Sequence, residues 1–388
     1  HELNLNNSIQ TLEYEFARAM HSLTVEEVPR IAFIEGHGEL DSLQTHSLMD
    51  ELKNFFQVDR GYINGNIEAL RSYEALIIAR PRFPFSEADK YALDQYIMQG
   101  GKTLWLLDNV YAELDSLMLT GKSLAFNREL NLTDMLFQYG IRINYNVTKD
   151  LYSSTIRLAS GNTGNQVQYQ DFLWHYYPLI FSDNAHPITK NIDPVLLKFP
   201  SSIDTLRNDL KKTVLLSSSP MAKIIGTPSN IALNEIAAEP DKNSFKDANT
   251  IFGVLLEGDF SSAYGSRIMP FEYDQYKSKG ADNKMIVISD GDVALNEILR
   301  GEPLPIDKDK WTSQRYGNAD LLLNSVHFLL DDSGLMNLRS KSVQLQFLDK
   351  EKAYEERSYW QLINLLVPLI LLFGFGWVFN FLRKKRHG

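Results

Sequence analysis

The chain has 388 residues, 44% of them hydrophobic and 23% charged, with a net charge of −10 and no cysteine. That composition excludes a disordered chain and leaves room for two or three domains at ~150 residues each. It also removes thiolate catalysis, disulfides and Cys-based zinc sites in one step. The tail is strongly basic, so the remainder is more acidic than the total, which argues against nucleic acid or anionic lipid as its partner. Absence of cysteine fits an oxidising compartment such as a bacterial periplasm.

The sequence opens on His1 with no visible signal peptide, and the expectation is that the natural N-terminus lies upstream. Ile9, Leu12, Phe16 and Ala19 recur at helical spacing, so residues 1–24 read as a helix continuing from a missing segment. Residues 25–339 read as one α/β domain. In it Arg30 to Ile34 is a strand ending in Glu35-Gly36-His37-Gly38-Glu39. Asp41 or Ser42 is expected to cap a helix whose apolar face is Leu40, Leu43, Leu48, Leu52 and Phe55. Ala75 to Ala79 is an uninterrupted apolar run, as in a strand covered on both faces, and it breaks at Arg80-Pro81-Arg82-Phe83-Pro84. Ser86 with Asp89 begins a helix closed by Gly100-Gly101. Thr103 to Leu107 is the next strand, running into Asp108-Asn109; a helix over Thr133 to Tyr139 and a strand over Ile141 to Asn144 follow. Strands alternating with amphipathic helices predict a mainly parallel sheet with helices on both faces.

Residues 149–183 are polar and aromatic and read as an insertion or long loop. Val195 to Phe199, Thr213 to Leu216, Ile251 to Leu256 and Met285 to Ser289 are the later strands, and both halves are expected to share one sheet. Asp290-Gly291-Asp292 should lead into a helix carrying Val293, Leu295, Ile298 and Leu299. Asn318 is expected to cap the last helix of the domain, with Leu321, Leu322, Val326 and Leu329 inward.

Residues 340–359 read as a period-two strand, Ser340 to Leu348, and a charged stalk helix. Trp360 to Leu382 then runs without Asp, Glu, Lys or Arg, long enough as a helix to cross a hydrocarbon core of ~30 Å. Arg383, Lys384, Lys385 and Arg386 follow at once. Lys and Arg stay cytoplasmic, so residues 383–388 are expected inside and everything before Trp360 outside. Asn364, Gly374, Gly376 and Asn380 are positions where another membrane helix can approach or hydrogen-bond.

Gly100-Gly101-Lys102-Thr103 resembles the end of a phosphate loop. However, Tyr96 stands where that loop needs glycine, and the pair ends a helix instead of opening one. There is no Gly-x-Ser-x-Gly elbow, no HExxH and no histidine pair at ligand spacing. The remaining candidates lie at the carboxyl ends of strands, where open parallel sheets bind ligands. They are Glu35, His37 and Glu39, then Asp108 and Asn109, then Asp290 and Asp292. Two roles stay open for them: a polar cleft for a small ligand, or turns and helix starts with solvated charges. Glu257 to Ser262 is a further strand-end loop and reads as a turn. No catalytic residue, metal site or cofactor is assigned.

Five stretches taken together resemble the ABC-transporter auxiliary family, and in particular its gliding-motility-associated members from gliding Bacteroidetes. They are Ile31 to Glu39 (IAFIEGHGE), Leu255 to Ser262 (LLEGDFSS), Val287 to Asp292 (VISDGD), Gly317 to Ser325 (GNADLLLNS) and Leu348 to Ala353 (LDKEKA). The resemblance implies a flavodoxin-like domain akin to class I glutamine amidotransferases. It also implies an N-terminal span, a further extracytoplasmic region and membrane spans that hold the domain in the periplasm, on the inner membrane. A complex with a separate ABC permease and a cytoplasmic ATPase is implied as well. The amidotransferase nucleophile is a cysteine, so that chemistry is not carried over. The expectation is a non-catalytic auxiliary subunit. The alternatives are a solute-binding protein using the strand-end cleft and, last, a hydrolase, for which His37 lacks a visible nucleophile.

Overall fold

The computed structural model describes residues 13–14, 16–17, 20, 28–163, 166–182, 186–340 and 350–387. They fall into two units, residues 1–341 and 342–388. Of the expected N-terminal helix, residues 13, 14, 16, 17 and 20 are described and helical, with Tyr14 buried. The rest of it lies outside the described residues.

Seven strands make the central sheet: β1 (Arg30–Glu35), β2 (Gln57–Tyr62), β3 (Ala75–Ala79), β4 (Lys102–Leu106), β5 (Lys211–Ser217), β6 (Ile251–Gly258) and β7 (Asn283–Ile288). Their order is β5-β6-β7-β4-β3-β1-β2. β2, β1, β3, β4 and β7 are parallel, β6 runs against β7, and β5 against β6. The segments expected at Ile31, Leu76, Leu104, Leu215, Val254 and Val287 are all in it, so both halves of the chain share one sheet. β2 was not foreseen, because QVDRGY puts charges in its middle and only partly buries them at the sheet edge.

Side-chain alternation divides the core. Ile31, Phe33, Ile77, Leu104 and Leu106 face a layer containing α1 (His46–Leu52) and α5 (Asn318–Leu329). Ala32, Ile34, Leu76, Ile78 and Trp105 face α2 (Ile67–Leu70), α3 (Glu87–Met98) and α4 (Thr133–Gln138). Helices therefore cover both faces, and each fully buried Leu or Ile contributes roughly 1.5–3 kcal/mol. α3 starts where the sequence placed it, with the Ser86 side chain accepting from Asp89 N–H at 3.1 Å. It ends at Gly100-Gly101, where a Cβ on Gly101 would meet the Tyr96 ring at 2.2 Å, so close packing leaves no room for a side chain.

Several local expectations need correction. Residues 149–183 are not a long loop. Ser153–Thr163 and Gln166–Ile180 form an antiparallel hairpin, joined by Val195–Leu196, and Trp174, Tyr176, Ile156 and Val147 belong to a separate small core. Polar residues line much of both strands because the outer part of the hairpin is solvated on both faces, which hides the period of two. Ile141–Ile143 and Val195–Leu196 are strands, but in small sheets of their own. After Asp292 there is one 3₁₀ turn, Asp292–Ala294, and then the short strand Ile298–Leu299, not a helix. Asp41 accepts from the N–H groups of Leu43 and Gln44 in a turn, and α1 begins later, at His46. Gly317, not Asn318, precedes α5; the Asn318 amide instead bonds both backbone groups of Leu196 at 2.9 Å. Leu321, Leu322, Val326 and Leu329 are inward as expected.

In the second unit the stalk helix spans Lys350–Glu355 and α6 spans Arg357–His387. The strand expected over Ser340 to Leu348 lies outside the described residues apart from Ser340, which closes a 3₁₀ helix. α6 is the one helix among the described residues that is long and apolar enough to cross a membrane.

Candidate functional site

The carboxyl ends of the parallel strands carry all three predicted clusters. After β1 the chain turns through Gly36 and Gly38, both at positive φ, and a Cβ on Gly38 would lie 2.8 Å from the Phe83 ring. Glu35 is drawn away from its neighbours by Arg60 of β2, which also reaches Thr45 Oγ1 at 3.0 Å and the Leu40 carbonyl at 2.5 Å. His37 and Glu39 stay together. Glu39 Oε2 accepts from His37 N–H at 2.7 Å, while Oε1 is 3.3 Å from His37 Nδ1, an ion-pair contact without hydrogen-bond alignment. On the other side His37 Nε2 is 3.3 Å from Asp89 of α3, and the ring stacks on Phe85 at 3.8 Å.

The second cluster is organised by a residue the sequence reading did not select. Arg80 follows β3 in the left-handed region (φ 57°), is buried, and sends its guanidinium between three carboxylates. Asp108 is at 3.2 Å, Glu113 at 3.3 Å and Asp292 at 3.0 Å. Asp108 also accepts from Gly291 N–H at 2.5 Å. Asp290, with no exposed surface, accepts from Lys198 N–H at 2.5 Å and Asp292 N–H at 2.8 Å. The Lys198 ammonium meets Glu297 at 3.2 Å. Asn109 is structural in its contacts: its side-chain amide donates to the Ile143 carbonyl at 3.0 Å and its backbone carbonyl accepts from Arg128 N–H at 2.8 Å.

Electrostatics follow from this packing. Burial works against the charge on Arg80, but Asp292, Asp108 and Glu113 outweigh it and strengthen its hold on the proton. Burial, then repulsion from Asp292, raises Asp108 above the usual carboxylate range, with Arg80 and the Gly291 N–H pulling the other way. Asp290 is raised further, by burial first and then by Asp292 and Asp108. The structure thus gathers Asp108, Asp290 and Asp292, pairs His37 with Glu39, and sends Glu35 elsewhere. Arg80, Asp89, Glu113 and Lys198 were missed. Arg80 stood in the RPRFP break after an apolar strand, a visible signal, but its partners are 28 to 212 positions away in sequence.

The carboxylates meet internal cations and backbone N–H groups. A hollow of about 20 Å³ lined by Lys198, Asp292 and Glu297 has room for about one water. A hollow of about 670 Å³ lies instead at the amino ends of the strands, among Pro29, Phe55, Phe56, Leu330 and Met336, and none of the predicted residues line it. Among the described residues, no group of three or more His, Asp or Glu is arranged to hold a metal. The Leu255 to Ser262 stretch is also accounted for by packing. Phe260 is buried, and Ser262 Oγ and Ala263 N–H each donate to the buried Asp94 at 2.7 Å.

Residues 28–325 match the family model of the ABC-type uncharacterized transport system, the ABC-transporter auxiliary family. The chain belongs to this family. Membership makes it an auxiliary component of an ABC transport system, associated with transporter components. No curated protein matches it. Among solved structures, the mmIFT52 N-terminal domain is similar at 13% identity and a TM-score of 0.43, covering 81% of this chain and 100% of that one. The exo-β-1,4-mannosidase Op5Man5 from Opitutaceae bacterium strain TAV5 shares 11% identity at a TM-score of 0.26, covering 72% of this chain and 34% of that one. Both likenesses are too distant to inform its function.

Proposed function

We propose that this family member is a non-catalytic auxiliary subunit of an ABC transporter associated with gliding motility, akin to the protein GldG of gliding Bacteroidetes. α6 anchors it in the inner membrane, the α/β domain stands in the periplasm on a flavodoxin-like scaffold, and Arg383 to Arg386 face the cytoplasm. Its partners are a separate permease and a cytoplasmic ATPase. The observation that carries this reading is the family match over residues 28–325 in a chain that continues into an apolar helix closed by four cations.

A non-catalytic role is supported by how the strand-end polar groups are used. Arg80 neutralises Asp108 and Asp292, Asp290 is held by backbone N–H groups, and His37 is engaged by Glu39 and Asp89. Capture of a solute there would require breaking this cluster. Reconstitution into vesicles with the permease and ATPase tests the reading: adding the subunit should change their ATP turnover, and the subunit alone should show none. Unchanged turnover, together with a soluble substrate hydrolysed or tightly bound by the isolated subunit, would overturn it.

A further inference from the structure

At His37, the loop after β1, the loop after β3 and the start of α3 meet around one residue. Its ring lies between Glu39 Oε1 of its own loop and Asp89 Oδ2 of α3, each at 3.3 Å, with Phe85 against its face. The N–H groups of Arg82 and Phe83, from the loop after β3, donate to the His37 carbonyl at 2.7 and 2.8 Å. From the turn after β2, Gly65 N–H donates to Asp89 Oδ1 at 2.8 Å. We propose that His37 is a proton-operated latch, holding the loop after β1 closed against the loop after β3 and the start of α3 while the ring is charged and loosening it when the ring is neutral.

An imidazolium donates from both nitrogens, whereas neutral imidazole donates from one and presents a lone pair at the other. Whichever nitrogen keeps the proton, one carboxylate then faces a lone pair at 3.3 Å. Glu39 and Asp89 are the titratable groups facing the ring; Phe85 is uncharged, and the loop after β3 offers N–H groups to the His37 carbonyl. The contact from Nε2 to Asp89 is the one aligned as a hydrogen bond, so the neutral ring keeps its proton there, and the contact that lets go is the one from Nδ1 to the Glu39 carboxylate, which is nearly sealed from solvent within the loop after β1. Burial opposes charge on the ring, but Glu39 and then Asp89 outweigh it, so His37 titrates above its ordinary value near 6.5. With the folded value raised, the stability contributed by the latch is complete below the unfolded value and is lost as pH rises through the folded one.

The test is a proton titration of the intact protein in micelles, with histidine ring carbons labelled and His37 assigned by its loss in His37→Gln. The midpoint should lie above 6.5 and fall in Glu39→Gln and in Asp89→Asn. Amide exchange in residues 36–40 and 80–86, corrected for the intrinsic pH dependence, should quicken several-fold from pH 6 to pH 9, with no such change in His37→Gln. If the variants do not fold, the wild-type exchange of residues 36–40, which needs no ring assignment, still decides. A midpoint at or below 6.5, or exchange indifferent to pH, would overturn the latch.

Discussion

Arg80 faces Asp108, Glu113 and Asp292 with only 5% of its surface exposed, so removing its charge strands three carboxylates in a poorly solvated site. Breaking a buried ion pair by losing one partner costs about 3–5 kcal/mol. Arg80→Met should therefore lower the urea midpoint by an amount of that order, whereas Arg82→Met, whose side chain is 44% exposed, should change it little. Gly291 packs against the same residue. A Cβ there would lie 2.6 Å from Arg80 Cβ and Cγ, and Gly291→Ala should cost about 1–3 kcal/mol by overpacking. Equal urea midpoints for wild type and Gly291→Ala would show that Arg80 moves aside freely. The pattern VISDGD was legible as a strand end, with Asp290 and Asp292 in the loop that follows it. What the sequence withheld was the cation between them, because a salt bridge across parallel strands depends on which strands are neighbours, and β7 lies beside β4 only through a long crossover.

Among elements, those with a clean apolar period were the readable ones. ALIIA and MIVIS announce strands buried on both faces, and the capped start of α3 was visible in Ser86 and Asp89. The hairpin Ser153–Thr163 with Gln166–Ile180 was not, since Val167, Tyr169 and Leu173 are exposed and no single face is apolar throughout. The end of β7 misled for another reason: Val293 and Ala294 are buried by a single 3₁₀ turn that packs like the start of a helix but does not continue. α6 contains Pro368, which has no N–H for the carbonyl of Asn364, so a polar group in the apolar stretch lacks its helical partner. Gly374 and Gly376 have open space around them, and Asn380 follows. A partner helix can approach at these positions and satisfy the amides, a contact worth roughly 1–2 kcal/mol in model systems. Replacing both glycines by Leu preserves apolar length, so membrane insertion should survive while permease capture falls. Full capture with an unrelated span in place of α6 would make the helix an anchor alone.

For the whole molecule, the sheet dictates that the first unit folds together. β7, from late in the sequence, pairs with β4, from early in it, and β5 and β6 attach only through β7. A fragment ending at Lys149 would leave the β4 edge and much of both apolar layers uncovered. It should show no cooperative unfolding when expressed alone; a cooperative transition in that fragment would show instead two independent cores. The proposed orientation makes a second demand. Protease added to spheroplasts should remove the domain before Trp360 and spare a tag after Gly388, because four adjacent cations resist translocation. Protection of the domain would reverse the topology. The central claim, an auxiliary subunit working with a transporter, is tested most directly by purifying the intact protein from its native membranes under mild detergent and identifying what comes with it. The account predicts an ABC permease and an ATPase in fixed ratio to it, lost together when α6 and the α/β domain are both exchanged. Recovery of the protein alone, from membranes in which the permease and ATPase purify as a complete complex without it, would contradict the claim.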